Sequence, residues 1–503
     1  MTMARRVTAF DVAGVDLKRS ASTPLHRQLY ASFRDAVLRG RMAAGTRLPS
    51  SRCLAAELGL SRLTVVTAID QLVADGYVEA RRGSGTFVAN LFSHAGAEFR
   101  VGPRARRQID PATVLSRRAA SRAALSYLRR ERASEPYAFQ FGVPALDAFP
   151  QREWARVLHN AWRDLGNDAL GFGDSRGYLP LRAAVAAYLG RARGVECTPD
   201  QVLIVSSAQQ AIDLSIRVLA NPGDPIWLED PGYAGARAAA AAHGCEVIPV
   251  PLDEEGLSFT SGPNDRVPRL VFVTPSHQCP IGTTMSLSRR LALIEWARRV
   301  GTMILEDDCS SEFRHTGRPL AALQGLDHDG RVLYVGTFNK ILFPALRLAY
   351  LVVPTALVET FALERAFSDG HSPIVDQAAV ARFIDEGHFA RHIARMRIAY
   401  RERQDALVEA LRGKLAGALE PQPAETGLHL VAWLPADADE NALAERAACC
   451  GVAAQPLSRF RISAQLRPGL VLGFGAVPPE RVGSAVDRLA MALHSASLKR
   501  QRA

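Results

Sequence analysis

Residues 331–351 read RVLYVGTFNKILFPALRLAYL, an apolar run broken by one lysine, Lys340, with Arg347 seven positions later. The chain holds only four lysines, Lys18, Lys340, Lys414 and Lys499, against 57 arginines. Three of the four sit in polar or terminal contexts. Retaining an amine at 340 points to chemistry that a guanidinium does not perform, because an amine forms a Schiff base with an aldehyde. A lysine in an apolar run also snorkels, so the neighbouring segments must decide between the two readings.

Working outward, VLIVS, PIWLED, EVIPVPL, RLVFVTPS, MILEDD, VLYVGTF and LAYLVVP read as strands between amphipathic stretches such as AQQAIDLSIRVLA and LSRRLALIEWARRV. Alternation of this kind predicts an α/β domain with a mostly parallel sheet. HLVAWL and LVLGFG, between helical patterns in the last hundred residues, predict a smaller α+β subdomain. Ligands of such sheets collect at the carboxyl ends of the strands. MILEDDCSSEF places Asp307 and Asp308 there, where a carboxylate holds a pyridine nitrogen protonated or caps a following helix. Ser207, Ala208 and Gln209 open a helix whose free N–H groups suit a phosphate. Tyr233 follows another strand, in a position to stack on a planar ligand.

The first quarter of the chain carries the basic excess. Residues 1–90 hold 13 Lys/Arg and 7 Asp/Glu, residues 91–135 hold 10 Arg and 4 Asp/Glu, and the whole chain is +10. Such asymmetry suggests a nucleic-acid or membrane contact at that end, or a solvated basic surface. From Pro24, Leu25, Leu29, Phe33 and Val37 recur on one helical face up to Gly40. A short helix follows, capped by Ser50 or Ser51, with Leu54, Ala55 and Leu58 inward and Gly59 breaking it. Ser61 caps the next, which buries Val65, Ile69, Leu72 and Val73. Strands at Tyr77–Ala80 and Thr86–Ala89 then flank an Arg-Arg-Gly-Ser-Gly tip. Helix, turn, helix and basic wing form a DNA-reading layout. The second helix would present Ser61, Arg62 and Thr64 to base edges, while Arg52, Arg81 and Arg82 neutralise phosphates.

Other classes are excluded. A composition of 48% hydrophobic and 22% charged residues is that of a globular protein, and 503 residues suggest more than one domain. No run approaches the ~18–20 apolar residues of a membrane span. MTMARRVTAFDVAGVDLKRS has no apolar signal region, so a cytoplasmic location is expected. The seven cysteines form no metal-ligand spacing and are expected to be reduced thiols, with no metal site.

Two stretches resemble known families. PLHRQLYASFRDAVLRGRMAAGTRLPSSRCLAAELGLSRLTVVTAIDQLVADGYVEARRGSGTFVA is similar to a GntR-type winged helix, which implies a dimeric, operator-binding transcription factor. The resemblance places DNA contacts at Arg52 and in the SR-x-T-V run, with Leu63 where relatives often have Asn. FQFGVPALDAFP, GFGDSRGYLPLR, LEDPGYAGARAA, TPSHQCPIGTTMSLSRR, EDDCSSEFR, GTFNKILFPALRLAYL and GLVLGFG, across residues 139–493, resemble a fold type I aminotransferase domain. Their order behind a winged helix resembles the MocR (GabR-like) regulators. That resemblance implies pyridoxal 5′-phosphate bonded by Lys340, paired through its pyridinium with Asp307, its phosphate met by Arg347, Thr337 and the Ser207–Ala208–Gln209 turn, and its ring stacked on Tyr233.

Four positions depart from the family pattern: Cys309 for tyrosine, Phe172 for tyrosine, Asn339 for serine and Ala208 for a hydroxyl residue. Each lost hydrogen bond to a charged group costs about 1.5–3 kcal/mol, so weakened cofactor binding is expected. Relatives of this fold carry a carboxylate-binding arginine near the strand LVLGFG, where only apolar residues stand. Arg459, Arg461 and Arg467 lie nearby in sequence and read as surface residues.

The expected organisation is an N-terminal arm (1–23), a winged helix (24–90), a basic linker (91–135), a large aminotransferase-like domain (136–390) and a small C-terminal subdomain with its tail (391–503). The expected function is a homodimeric regulator that binds double-stranded DNA and senses a small amino compound through pyridoxal phosphate. A working aminotransferase with an appended DNA-binding domain, and a regulator that has lost the cofactor, remain open alternatives.

Overall fold

The computed structural model describes residues 17–90, 110–115, 137–262, 266–317 and 320–500, without the side chains of 111, 112, 168 and 494–500. Most of the arm (1–16) and nearly all of the predicted linker lie outside the described residues. The chain forms two compact units, residues 1–114 and 115–503.

In the first unit, α1 (Leu25–Leu38), α2 (Ser51–Leu58) and α3 (Arg62–Ala74) precede a hairpin of β1 (Val78–Arg81) and β2 (Gly85–Val88). Leu29, Phe33, Leu54, Val65, Leu72, Val78 and Val88 share one buried cluster. Ile69 and Val73, predicted buried, are only partly covered at its margin. Each strand lies one residue away from its expected position at one or both ends, and Val78 pairs with Val88. Of the two candidate caps, Ser50 is the N-cap of α2, its hydroxyl accepting from Cys53 N. Ser61 caps α3 by accepting from Thr64 N. Gly59 ends α2 in the left-handed conformation, φ 61°, which favours glycine.

In the second unit, an eight-stranded sheet runs in the order β3 (Val202–Val205), β10 (Ala349–Val352), β9 (Val332–Thr337), β8 (Met303–Asp307), β7 (Leu270–Val273), β4 (Pro225–Asp230), β5 (Glu246–Asp253), β6 (Gly256–Leu257). Strands β10 and β6 pair antiparallel with their neighbours, and the rest share one direction. Period-2 side chains feed both faces. Leu203, Leu228, Phe272, Leu305 and Leu333 enter a core with the helices Ala208–Leu219 and Ala234–Ala242. Trp227, Val271, Ile304 and Val332 enter another with the helix Leu287–Val300. Burial on both faces explains why these strands read as unbroken apolar runs. The long helix His388–Lys414 leads into a second, antiparallel sheet ordered β11 (Glu420–Gln422), β12 (His429–Trp433), β14 (Gly469–Gly473), β13 (Gln455–Pro456).

Among the described residues, no helix is long and apolar enough to cross a membrane. The seven cysteines are free, and no group of acidic, histidine or cysteine side chains suits a metal ion among the described residues.

Candidate active site and DNA-facing surface

The carboxyl ends of five parallel strands converge. Ser207 follows β3, Tyr233 follows β4, Thr274 follows β7, Asp307 ends β8 and Lys340 follows β9. Because β10 runs the other way, Arg347 reaches the same edge from just before its start. A cavity of about 370 Å3 opens there, and all eight residues singled out for the cofactor line it: Lys340, Asp307, Arg347, Tyr233, Thr337, Ser207, Ala208 and Gln209. Residues up to 140 positions apart in sequence thus meet because strand order, rather than chain order, sets their spacing.

Lys340 Nζ donates to Ser310 Oγ at 3.4 Å. Asp307 is buried, and burial pushes its carboxyl up to about 6, with Asp308 adding to the rise and Cys309 and Lys340 opposing it. The Cys309 thiol lies in hydrogen-bond contact with Asp307 Oδ1. The next helix after β8 begins only at Leu323, so neither aspartate is an N-cap. The Asp308 carboxylate is instead held in a buried ion pair. It accepts from Arg193 Nε at 2.8 Å, Tyr334 Oη at 2.8 Å and Ser311 Oγ at 2.8 Å, and Arg193 also donates to Ser276 Oγ at 2.9 Å. This network locks the turn that presents Asp307.

Arg347 has φ 53°, a left-handed conformation that non-glycine residues seldom adopt, and its guanidinium has no ion-pair partner among the described residues. Strain of this kind persists where the surroundings fix a side chain for use. Ser207 caps the helix Ala208–Leu219 by accepting from Gln210 N, leaving early N–H groups of that helix without helical acceptors. The Tyr233 hydroxyl donates to Gln209 Oε1 at 3.3 Å, and Gln209 Nε2 donates to Gly235 O at 2.9 Å. A Cβ at Gly235 would collide with both Tyr233 and Gln209, so that position requires glycine. Tyr233 is also stacked near Phe272, with ring centroids 6.4 Å apart.

Several wall residues were not foreseen from sequence: Phe141, His277, Cys279, Ser310 and His429. His429 lies in the second sheet and Phe141 before the first strand of this unit, within the quoted stretch FQFGVPALDAFP, where it was not singled out. Of the four departures, Cys309, Asn339 and Ala208 line the cavity, whereas Phe172 stands outside it, fully exposed at 104%. The buried Asn339 Oδ1 has no hydrogen-bond partner. The three candidate carboxylate-binding arginines also face elsewhere. Arg461 pairs with Glu440 at 3.0 Å, Arg467 pairs with Glu420 at 2.6 Å, and Arg459 is exposed outside the cavity.

In the first unit, Arg52, Ser61, Arg62, Arg81 and Arg82 are exposed and Thr64 is half-buried. Ser61 Oγ and Thr64 Oγ1 lie 2.7 Å apart and bond each other in the cap. Arg62 and Leu63 are therefore the freest side chains at the start of α3, Leu63 with 75% exposure. Arg81 lies over the Phe87 ring, 4.9 Å from its centroid, and 3.5 Å from Glu79, so part of its charge is engaged. Arg47, unremarked in the sequence, packs beside Gly85 of the wing and adds a cation there.

Comparison with known proteins follows the same division. Residues 142–489 match the aminotransferase class I and II family, and residues 25–88 match the bacterial regulatory proteins of the gntR family. The probable rhizopine catabolism regulatory protein MocR of Rhizobium meliloti is 40% identical over 94% of both chains. The HTH-type transcriptional regulator TauR of Rhodobacter capsulatus is 33% identical over 93% of this chain and 96% of its own. Among solved structures, the α-aminoadipate aminotransferase LysN of Thermus thermophilus, complexed with N-(5′-phosphopyridoxyl)-L-leucine, superposes with a TM-score of 0.69. It is 28% identical and covers 77% of this chain and 99% of its own. A winged helix followed by a fold type I aminotransferase body defines a class of bacterial regulator, and this chain belongs to it, the MocR-type members of the gntR family. Its gntR-type unit is a DNA-binding module, and its large unit has the fold of pyridoxal phosphate-dependent aminotransferases.

Proposed function

We propose that this regulator holds pyridoxal phosphate in the cavity at the strand ends and reads a small amino compound through it. The observation that carries the proposal is the convergence of Lys340, Asp307 and Arg347, drawn from three separate strand ends, on one cavity. The residues present fit the cofactor. Lys340 supplies the amine for its aldehyde, Asp307 the carboxylate for its pyridine nitrogen, and Tyr233 a ring fixed by Gln209 and Gly235. Arg347, Thr337 and the N–H groups of the Ser207–Gln209 turn receive its phosphate. LysN, a solved relative of this fold, is complexed with a phosphopyridoxyl compound, which supports the same assignment here.

When bound, pyridoxal phosphate supplies an aldehyde that primary amines compete for, backed by an electron-withdrawing ring. The chain's own residues set the terms of that competition. Ser310 Oγ orients the lysine amine, 3.4 Å away. The Arg193–Asp308 pair holds the turn bearing Asp307. An effector amine competing with Lys340 for that aldehyde would change which contacts this wall makes. Regulation follows if two arrangements of the protein bind the effector with different affinities.

In the same reading, Arg52, Arg62, Arg81 and Arg82 contact operator DNA, with Ser61 and Thr64 setting the start of the reading helix. Two copies form the functional unit. Leu170, Phe172, Leu179, Leu363 and Phe367 are large apolar side chains exposed in the single chain, and a partner surface would cover them. The domain division is 24–90 for the winged helix, 136–390 for the large domain and 391–503 for the small one, with the last boundary near the start of the helix His388–Lys414.

The visible absorption of purified protein, with and without added pyridoxal phosphate and beside Lys340→Ala, tests the assignment. A cofactor band that depends on Lys340 is expected. Its absence at saturating cofactor would leave the large unit as a scaffold without the proposed sensor.

A further inference from the structure

The cavity wall draws on both sheets of the large unit. Lys340, Asp307, Arg347 and Tyr233 come from the strand ends of the eight-stranded sheet, whereas His429 opens β12 of the small one. Phe141 also belongs with the small sheet. Gly473 N donates to Phe139 O at 2.9 Å, Ala453 N donates to Ala138 O at 2.8 Å, and a Cβ at Gly473 would strike the backbone of Gln140. Phe141 then packs edge-on against His429 at 4.8 Å and against Phe460 at 5.7 Å between centroids.

One carboxylate fastens this wall to the strand end that carries Tyr233. Asp230, the last residue of β4, is buried. Its Oδ1 accepts from Ile462 N at 2.8 Å, and its Oδ2 accepts from Ser463 N at 2.8 Å, Ser463 Oγ at 2.9 Å and Ala464 N at 2.8 Å. Three successive backbone N–H groups and a hydroxyl satisfy a carboxylate without a cation. The same loop is gripped twice more. Gly232 N donates to Phe460 O at 2.9 Å, and Arg237, on the helix Ala234–Ala242, donates to Arg461 O at 2.9 Å and Arg459 O at 3.2 Å. Phe460, whose ring supports Phe141, is thus bonded to the residue before Tyr233.

Asp230 and Arg237 themselves stand outside the cavity wall. A separate set of bonds joins the segment before β12 to the turn after β8. His315 N donates to Glu425 O at 2.7 Å, Gly427 N to Phe313 O at 3.1 Å and Thr426 Oγ1 to Ser310 O at 3.1 Å. Losing the Asp230 contacts therefore frees one side of the wall while the other stays attached.

We infer that Asp230, acting through the 459–464 loop, is a positioning residue for the effector: it seats Phe141 and His429 relative to Tyr233, and so sets how closely the part of the effector beyond its amine is packed. The inference rests on the cofactor reading above. It is tested by titrating the full-length, cofactor-loaded protein with methylamine, ethanolamine, butylamine and tyramine, following the visible band, beside Asp230→Ala and Arg237→Met. Methylamine has a single carbon to present to the wall, so it reads the competition with Lys340 alone and is expected to bind all three proteins alike. The affinity of tyramine relative to methylamine is expected to fall about threefold or more in each variant, as residues outside a ligand site can change it. Both variants should also melt earlier, because each leaves buried backbone groups without partners. If Asp230→Ala does not fold, Arg237→Met, which cuts the same loop free from the helix side, decides the matter. A lower Tm with an unchanged or raised tyramine-to-methylamine ratio would overturn the inference and leave Asp230 a purely structural residue. So would an unmodified protein that binds tyramine no better than methylamine, since the wall would then hold nothing. Failure to form a Lys340-dependent band before any amine is added would overturn the cofactor reading instead, and this inference with it.

Discussion

Removing Arg193 isolates the contribution of the turn that presents Asp307. Its guanidinium reaches Asp308 at 2.8 Å, and the two side chains are 5% and 1% exposed. In Arg193→Met the carboxylate keeps only the hydroxyls of Tyr334 and Ser311, each at 2.8 Å, and its Oδ1 already lacks a partner. Leaving one member of a buried pair unmatched costs about 3–5 kcal/mol. Each kcal/mol lowers Tm by ~2–4 °C for domains of 150–250 residues, and this unit is larger. A fall of about 4–6 °C in the calorimetric transition of the large unit is therefore expected. Because removing both charges is far milder than removing one, Arg193→Met with Asp308→Asn should regain at least half of the loss. Cofactor affinity should fall in the single variant too, since Asp307 is held by the same turn. A single-variant shift below about 2 °C, or no recovery in the double variant, would refute the reasoning that this pair fixes the turn.

Three further expectations follow from the site and the DNA-facing unit. Burial raises Asp307 from its ordinary 3.8 to about 6, so the folded protein binds a proton there that the unfolded chain has lost; stability of the cofactor-free protein falls as pH rises through this window and levels off above it. Asp307→Asn removes that penalty, on the order of 3 kcal/mol above pH 6, yet weakens pyridoxal phosphate binding by about 10–100-fold; opposite shifts in melting and in cofactor titration at pH 8 check this. Gly235→Ala forces Tyr233 and Gln209 apart, at a cost of about 1–3 kcal/mol, and should weaken cofactor binding measured by fluorescence without changing DNA affinity. Arg52→Ala and Arg82→Ala should each lower the slope of log K against log salt by ~0.9 in operator-binding titrations, while Leu63→Asn should change base preference and leave that slope alone.

What the sequence disclosed depended on how local the signal was. Lys340 and Asp307 were legible because one follows and the other ends a short apolar strand, and strand ends of such sheets face the ligand. Arg347 shared Lys340's segment, although its left-handed backbone did not show. The winged helix was legible in order and caps; its strands shifted by a residue because edge pairing, rather than composition, sets hairpin limits. Asp308 was ambiguous in sequence because its partner, Arg193, lies 115 positions earlier. His429 and Phe141 reach the cavity only through the packing of the small sheet against the large one. Phe172 was read as a lost cofactor contact, whereas within one chain it is simply exposed. The arginines after β13 were read as surface residues; Arg459 and Arg467 are exposed, whereas Arg461 is half-buried and pairs with the buried Glu440.

The central claim is that an amine bound at Lys340 alters DNA binding. The most direct test measures operator affinity of the full-length, cofactor-loaded protein as ethanolamine and larger amino alcohols are added, beside Lys340→Ala. The account predicts a saturable change in affinity for at least one amine, following the same concentration dependence as the visible band and absent in Lys340→Ala. A band that responds to amines while operator affinity stays constant would contradict it, as would the same change in DNA affinity without Lys340.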